Sequence, residues 1–229
     1  PFPHGAASGT VAMEEGLDGI PGQLVEAFRG SARDVKHARA LIEAAEAGDI
    51  IGVRQSLHEL KRGMLGPKGA QAALVTALIK GHVGVAEALV ASGCDLTPEV
   101  FFMACKGRGE ARLLAVDWCL RQPGVDPRAV VPDAGSPLTA ACEGADDSHF
   151  LMVAQRLLEM RADVNSEPSP LAAVCRAPSG SARSVAAARM LLDCGAQPDG
   201  LGADGLTPLQ TLCAADFSGV PQGDEGGVA

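Results

Sequence analysis

Apolar residues fall along this chain in a recurring pair. Leu41, Leu74, Phe101, Leu138, Leu171 and Leu209 form one column, and Ala44, Ala77, Ala104, Ala141, Val174 and Leu212 stand three residues beyond them. Residues three apart share one face of a helix, so each pair predicts a short amphipathic helix. The steps along the first column are 33, 27, 37, 33 and 38 residues. Paired aliphatics follow at Leu89-Val90, Leu157-Leu158 and Leu191-Leu192 and predict a second helix in each unit.

The punctuation agrees with this pattern. Ser136, Ser169 and Thr207 stand where a hydroxyl can cap a helix N-terminus. Pro137, Pro170 and Pro208 follow at the first helical position, where no N–H is needed. Gly48-Asp49 and Gly81-His82 turn the chain between helices, and Gly93, Gly124 and Gly195 fall where a C-cap Gly belongs. The small residue of the second column lets the next helix approach closely. Such a helix pair cannot bury its apolar face alone, so the next copy must cover it.

These residues resemble the ankyrin repeat, a unit of about 33 residues with a β-turn, two antiparallel helices and a T-P-L-H-x-A signature. The matching stretches are TPLQTL, SPLTAA and SPLAAV, with GH at 81–82 and GCDL, RADVN and GAQPD at unit ends. Val75, Thr139, Ala172 and Gln210 replace the signature His. The third unit is short at its front, and CEGADDSHF and CRAPSGSARS map to inserted loops. The resemblance covers residues 38–215. It implies an all-α solenoid of stacked helix-turn-helix units, about five and a half of them. It also implies a non-catalytic protein–protein interaction module that binds along its concave side through turn tips and first-helix surfaces.

Composition narrows the picture. Of 229 residues, 47% are hydrophobic but only 3% aromatic, with one Trp and no Tyr. A core short of aromatics is built from Ala, Leu and Val, which suits closely stacked helices. The net charge of −9 argues against a nucleic-acid partner, which needs a basic face. No apolar run approaches the roughly 18 residues of a membrane helix. Seven cysteines, spaced by 11, 14, 23, 33, 19 and 19 residues with no CxxC, read as free thiols of an intracellular, reducing compartment, cytoplasmic or organellar. The first residue is Pro1 rather than Met, which reads as processing or trimming.

Candidate chemistry is sparse. Cys105, Cys142, Cys175 and Cys213 directly follow the second column. Packed helices lie about 8–10 Å apart and a disulfide needs Cα atoms within about 7 Å, so these thiols read as small core hydrophobes. DDSH at 146–149 reads as a polar inserted turn, since nothing around it resembles a nucleophile elbow. GPKGAQ and CKGRGEAR lack the pattern of a phosphate loop. Lys106, Arg108 and Arg112 read as a solvated basic face open to an acidic partner. Trp118 reads as packing between repeats, with a hot-spot anchor as the alternative. No catalytic residue, metal ligand or cofactor is expected.

The chain thus divides into an extended arm at 1–37, with a short capping helix on Ile20, Leu24 and Phe28, the repeats at 38–215, and a flexible tail at 216–229. The register projects Thr76, Ile79, Lys80, Met103, Lys106, Arg108, Thr139 and Glu143 away from the Leu/Ala face, as candidates for binding a protein partner. Trp118 joins them as the possible anchor. Leu209 and Leu212 belong to a last helix with no successor, an open end that needs cover. The expected role is an adaptor, scaffold or structural subunit. The alternatives are an accessory subunit of an organellar complex and the regulatory or targeting part of a longer enzyme.

Overall fold

Ser136 caps its helix as the sequence requires: its hydroxyl accepts from the Thr139 N–H at 3.1 Å, with Pro137 at the first helical position. The computed structural model describes residues 32–59, 67–145, 147–176 and 182–217. Within them run α1 (Ala32–Ala47), α2 (Ile50–Glu59), α3 (Pro67–Ile79), α4 (Val83–Ala91), α5 (Pro98–Lys106), α6 (Gly109–Leu120), α7 (Pro137–Cys142), α8 (Phe150–Glu159), α9 (Pro170–Arg176), α10 (Ala182–Asp193) and α11 (Pro208–Phe217). No strand occurs among the described residues; Val131 and Gly135 form an isolated bridge. The proposed helix on Ile20, Leu24 and Phe28, the tail beyond Phe217 and the middle of the CRAPSGSARS loop lie outside the described residues.

The first helices of successive units stack in chain order, α1 on α3, then α5, α7, α9 and α11. The second helices form a parallel row, with α2 on α4, α4 on α6 and α6 on α8. Each unit's two helices also pack on each other. The first column lies in the seam: Leu41, Leu74, Phe101, Leu138 and Leu171 are at most 3% exposed. Ala77, Ala104, Ala141 and Val174 of the second column are buried beside them. From the other row, Val53, Val85, Ala115, Val153 and Ala187 point inward, followed four residues on by Leu57, Leu89, Cys119, Leu157 and Leu191. Each fully buried Leu, Val or Phe of these columns contributes about 1.5–3 kcal/mol, and the alanines contribute less but let the helices approach closely.

The unit ends behave as the turn residues dictate. Gly93, Gly124 and Gly195 take φ of 96, 87 and 89°, the left-handed region that ends a helix without a Cβ clash. The fourth unit puts Arg161 there instead, at φ 64°. Asn165 ties that unit to the next: its side chain donates to the Gly195 carbonyl at 3.1 Å and accepts from the Gln197 N–H at 2.8 Å. The Asn of RADVN is therefore a splice between turns. His82 is another, with Nε2 3.0 Å from the Glu46 carbonyl of the unit before.

Candidate protein-binding surface

The outer edge of the first-helix row carries alternating charge. Glu46, Ile79, Lys106, Glu143 and Arg176 occupy one register position, five residues beyond the first column. Lys80 Nζ meets Glu46 Oε1 at 2.8 Å, and Lys106 Nζ meets Glu143 Oε2 at 2.8 Å, both across neighbouring units and both exposed. Lys106 Nζ also lies 5.6 Å from the centre of the Phe102 ring. Arg176 pairs with Asp204 at 2.9 Å one unit further on. Arg108 is exposed at the turn after α5. Glu46 and Arg176 were absent from the candidates, although the alignment that selected Lys106 and Glu143 already placed them in the same column.

The apolar candidates sit deeper than their register suggested. Ile79 and Met103 are half-buried and pack against the core, so the stack does use them. Thr76 is half-buried and its hydroxyl donates to the Ala72 carbonyl at 2.9 Å.

Thr139 does not belong to the surface. It is 2% exposed. It takes the signature His position, which points toward the incoming loop of the next unit. There its hydroxyl donates to the Pro168 carbonyl at 2.8 Å, and Ser136 Oγ lies 2.6 Å from Ser166 Oγ. Two hydroxyls thus tie adjacent units where the repeat signature has an imidazole. Gln210, in the same position of the last unit, accepts from the Thr207 N–H at 2.9 Å while Thr207 Oγ1 accepts from the Gln210 N–H at 3.3 Å, a reciprocal cap.

Arg112 overturns its reading as part of a solvated basic face. It is fully buried. Nη1 donates to the Ala141 carbonyl at 3.2 Å, Nη2 to the Gly144 carbonyl at 3.4 Å, and Nη2 meets Asp147 Oδ2 at 3.1 Å. Gly144 makes room for it: a Cβ there would lie 2.9 Å from Nη1. Burial lowers the Arg112 pKa, and Asp147 opposes that shift. For Asp147, burial raises the pKa, but the N–H groups of His149 and Gly109 and the Arg112 charge outweigh it and hold the carboxyl below its usual range. The N–H of Gly109 at the start of α6 donates to Asp147 Oδ2, so the inserted turn caps α6 from the next unit.

The same turn brings Asp147, Ser148 and His149 together without making a relay. Ser148 Oγ lies 3.0 Å and Asp147 Oδ1 3.6 Å from the same ring nitrogen, His149 Nδ1. A relay needs the acid on one nitrogen and the nucleophile on the other.

Trp118 is 6% exposed and packs in the core, as the packing reading requires; the anchor reading fails because its surface is already spent within the stack. Its edge lines a groove of about 520 Å³ on the second-helix row, with Ile50, His82, Val83 and Leu114. Gly84, which has no side chain, lines the groove at the register position that Leu114 holds in the next unit.

All seven cysteines are free. In the repeat column Cys105 and Cys142 are buried, Cys175 is half-buried and Cys213 is exposed, so the column opens toward the C-terminal end. The same gradient governs the leucines: Leu209 is 70% and Leu212 39% exposed.

No family model and no curated protein matches the sequence. Solved structures do match. The ankyrin repeat domain of human ASB11 is 20% identical, with 79% of this chain and 98% of that one covered and a TM-score of 0.53. The ankyrin repeat protein EF0377 is 17% identical over 79% of this chain and 94% of its own, at a TM-score of 0.55. An ankyrin repeat domain from Acinetobacter baumannii AYE is 20% identical over 78% and 92%, at 0.54. At these identities the likeness shows the fold alone: the chain has the stacked helix-pair architecture of an ankyrin-repeat solenoid.

Proposed function

We propose that this chain is a non-catalytic protein-binding module, an adaptor, scaffold or structural subunit, and that it binds through the first-helix surface of its middle units. The observation that carries this reading is the exposed Glu46–Lys80 and Lys106–Glu143 pairs running beside half-buried Ile79 and Met103. Exposed ion pairs contribute only about 0–1 kcal/mol, so a partner with matching charges exchanges for them at little cost. The apolar neighbours then supply area that loses water on contact. A net charge of −9 favours a protein over a phosphate backbone as partner. Seven free thiols fit a reducing compartment, cytoplasmic or organellar.

Affinity capture with the wild-type chain and with a Lys80→Glu, Lys106→Glu, Arg108→Glu variant tests this. The variant should bind the captured partner about tenfold more weakly, mainly through a slower association rate that depends on salt. Equal binding by both chains at low salt rejects the placement.

A further inference from the structure

We infer that the second-helix row carries a further docking surface, and that it receives an amphipathic helix of a protein partner, apolar at every seventh position and with a basic residue one turn from its central apolar one. This surface lies on the second helices, apart from the first-helix surface proposed above, and uses different residues.

Gly52, Gly84, Leu114 and Met152 stand directly before the inward-pointing residues of α2, α4, α6 and α8, so no polar side chain occupies this column. Leu114 and Met152 are 47% and 54% exposed, and Ile51 beside Gly52 is 71% exposed. A single exposed aliphatic is ordinary, but these recur in register across helices that touch, α2 on α4, α4 on α6 and α6 on α8. Between Ile50 and Leu114 the band dips into the groove of about 520 Å³, because Gly84 offers no side chain to fill it.

Spacing selects a helix as the occupant. Packed helices lie about 8–10 Å apart, so the band presents one apolar position about every 10 Å. A helix returns to the same face after seven residues, a rise of about 10.5 Å. A strand returns every second residue, about 6.6 Å, and falls out of step within one unit. The groove above Gly84 takes one bulky side chain of that helix, and its apolar residues on either side cover Ile51 and Leu114.

Charge places the basic residue. One turn beyond the column stand Gln55, Glu87, Asp117 and Gln155, two carboxylates and two amides. The groove lining sets Glu87 and Asp117 against the single guanidinium of Arg121. Arg156 of the next unit already meets Asp117 at 3.3 Å. Exposed Glu87 is the carboxylate that a Lys or Arg of the partner helix meets.

Trp118 is the only tryptophan of the chain and its edge lines the groove, so its emission reports an occupant. The probe is a synthetic helix of about three heptads without Trp or Tyr, built from Ala, Gln and Lys, with Leu at every seventh position, Phe at the central one and Lys four residues after it. Titrated into the full 229-residue chain, it should shift the emission saturably. A peptide of the same composition with its apolar residues at alternate positions should bind at least about tenfold more weakly. Gly84→Leu fills the groove and should weaken binding of the helix at least about tenfold, read by anisotropy of the labelled peptide. It keeps the fold, because a Cβ there meets only Ile50 Cδ1, at 3.2 Å, and Leu is a better helix former than Gly. Leu114→Asp, at an exposed site, should weaken binding as much and serves as the second variant. Lys106→Glu should leave it unchanged, which separates this surface from the first-helix one. No saturable shift in the full chain overturns the inference. If Trp118 emission then depends on chain concentration, a second copy is the cover; if it changes on deletion of residues 1–31, those residues are. Equal binding of the two peptides, or binding indifferent to both groove substitutions, also overturns it.

Discussion

Arg112 Nη2 lies 3.1 Å from Asp147 Oδ2, and this ion pair joins the second helix of one unit to the inserted turn of the next with the guanidinium wholly out of solvent. Breaking a buried pair by removing one partner leaves the other charge uncompensated, at a cost of about 3–5 kcal/mol. Asp147→Ala should therefore destabilise the chain by about that amount and free the N-terminus of α6. Arg112→Met removes the charge and keeps much of the packing, so it should cost less. Urea unfolding compares the two; equal costs would mean that packing rather than charge sets the penalty. Asp147 titrates below its ordinary range, so its contribution is complete above the unfolded carboxyl value of about 3.9 and disappears as pH falls through the lowered native value.

Thr139 is a stability residue and Lys106 a surface residue, and substitution separates the two roles. Thr139→Val removes the hydrogen bond to the Pro168 carbonyl and one neighbour of the Ser136–Ser166 pair. It should cost about 1–3 kcal/mol in thermal or urea unfolding and leave partner binding by the folded protein intact. Lys106→Glu should do the opposite, with stability within about 0.5 kcal/mol of wild type and binding weakened.

Burial pushes the Cys119 thiol up to about 12 and the Cys94 thiol to about 11, and raises Cys105 and Cys142 well above the ordinary range. Their native values exceed the unfolded one, so their contribution is complete below about pH 8.5 and declines as pH rises above it. Each fully buried thiol should cost about 1.4 kcal/mol per pH unit in that alkaline window. The unfolding free energy should fall steeply above about pH 9, and less steeply in Cys142→Ala. A flat profile from pH 8 to about 10 would show that the buried thiols are not linked to folding.

Arg161 holds a left-handed conformation that Gly holds in three other units. For a residue with a Cβ this costs about 1–2 kcal/mol. Arg161→Gly should raise stability by about 0.5–1 kcal/mol once the extra freedom of Gly in the unfolded chain is offset. Calorimetry would register this as a higher Tm, and a lower Tm would mean that contacts of the Arg161 side chain outweigh the backbone strain.

The repeat itself was visible in the sequence because its causes are local. Spacing three residues apart names a helix face, Ser or Thr before Pro marks its start, and Gly marks its end; each operates within one helix and one turn. From these the two rows and the seam columns follow, and Leu41, Leu74, Phe101, Leu138 and Leu171 lie where their register put them. The tertiary structure decided which polar side chains are buried and against what. Arg112 reads in sequence as a neighbour of Lys106 and Arg108, and only the fold brings Asp147 across to it. Thr139 shares its helix with surface positions, and its burial comes from a loop 29 residues further on. Leu209 and Leu171 are written in the same phrase, yet one is 70% exposed and the other 3%. Periodicity sets the direction in which a side chain leaves its helix; its burial depends on what stands opposite, and in a stack that is supplied by the unit's own second helix together with the neighbouring units.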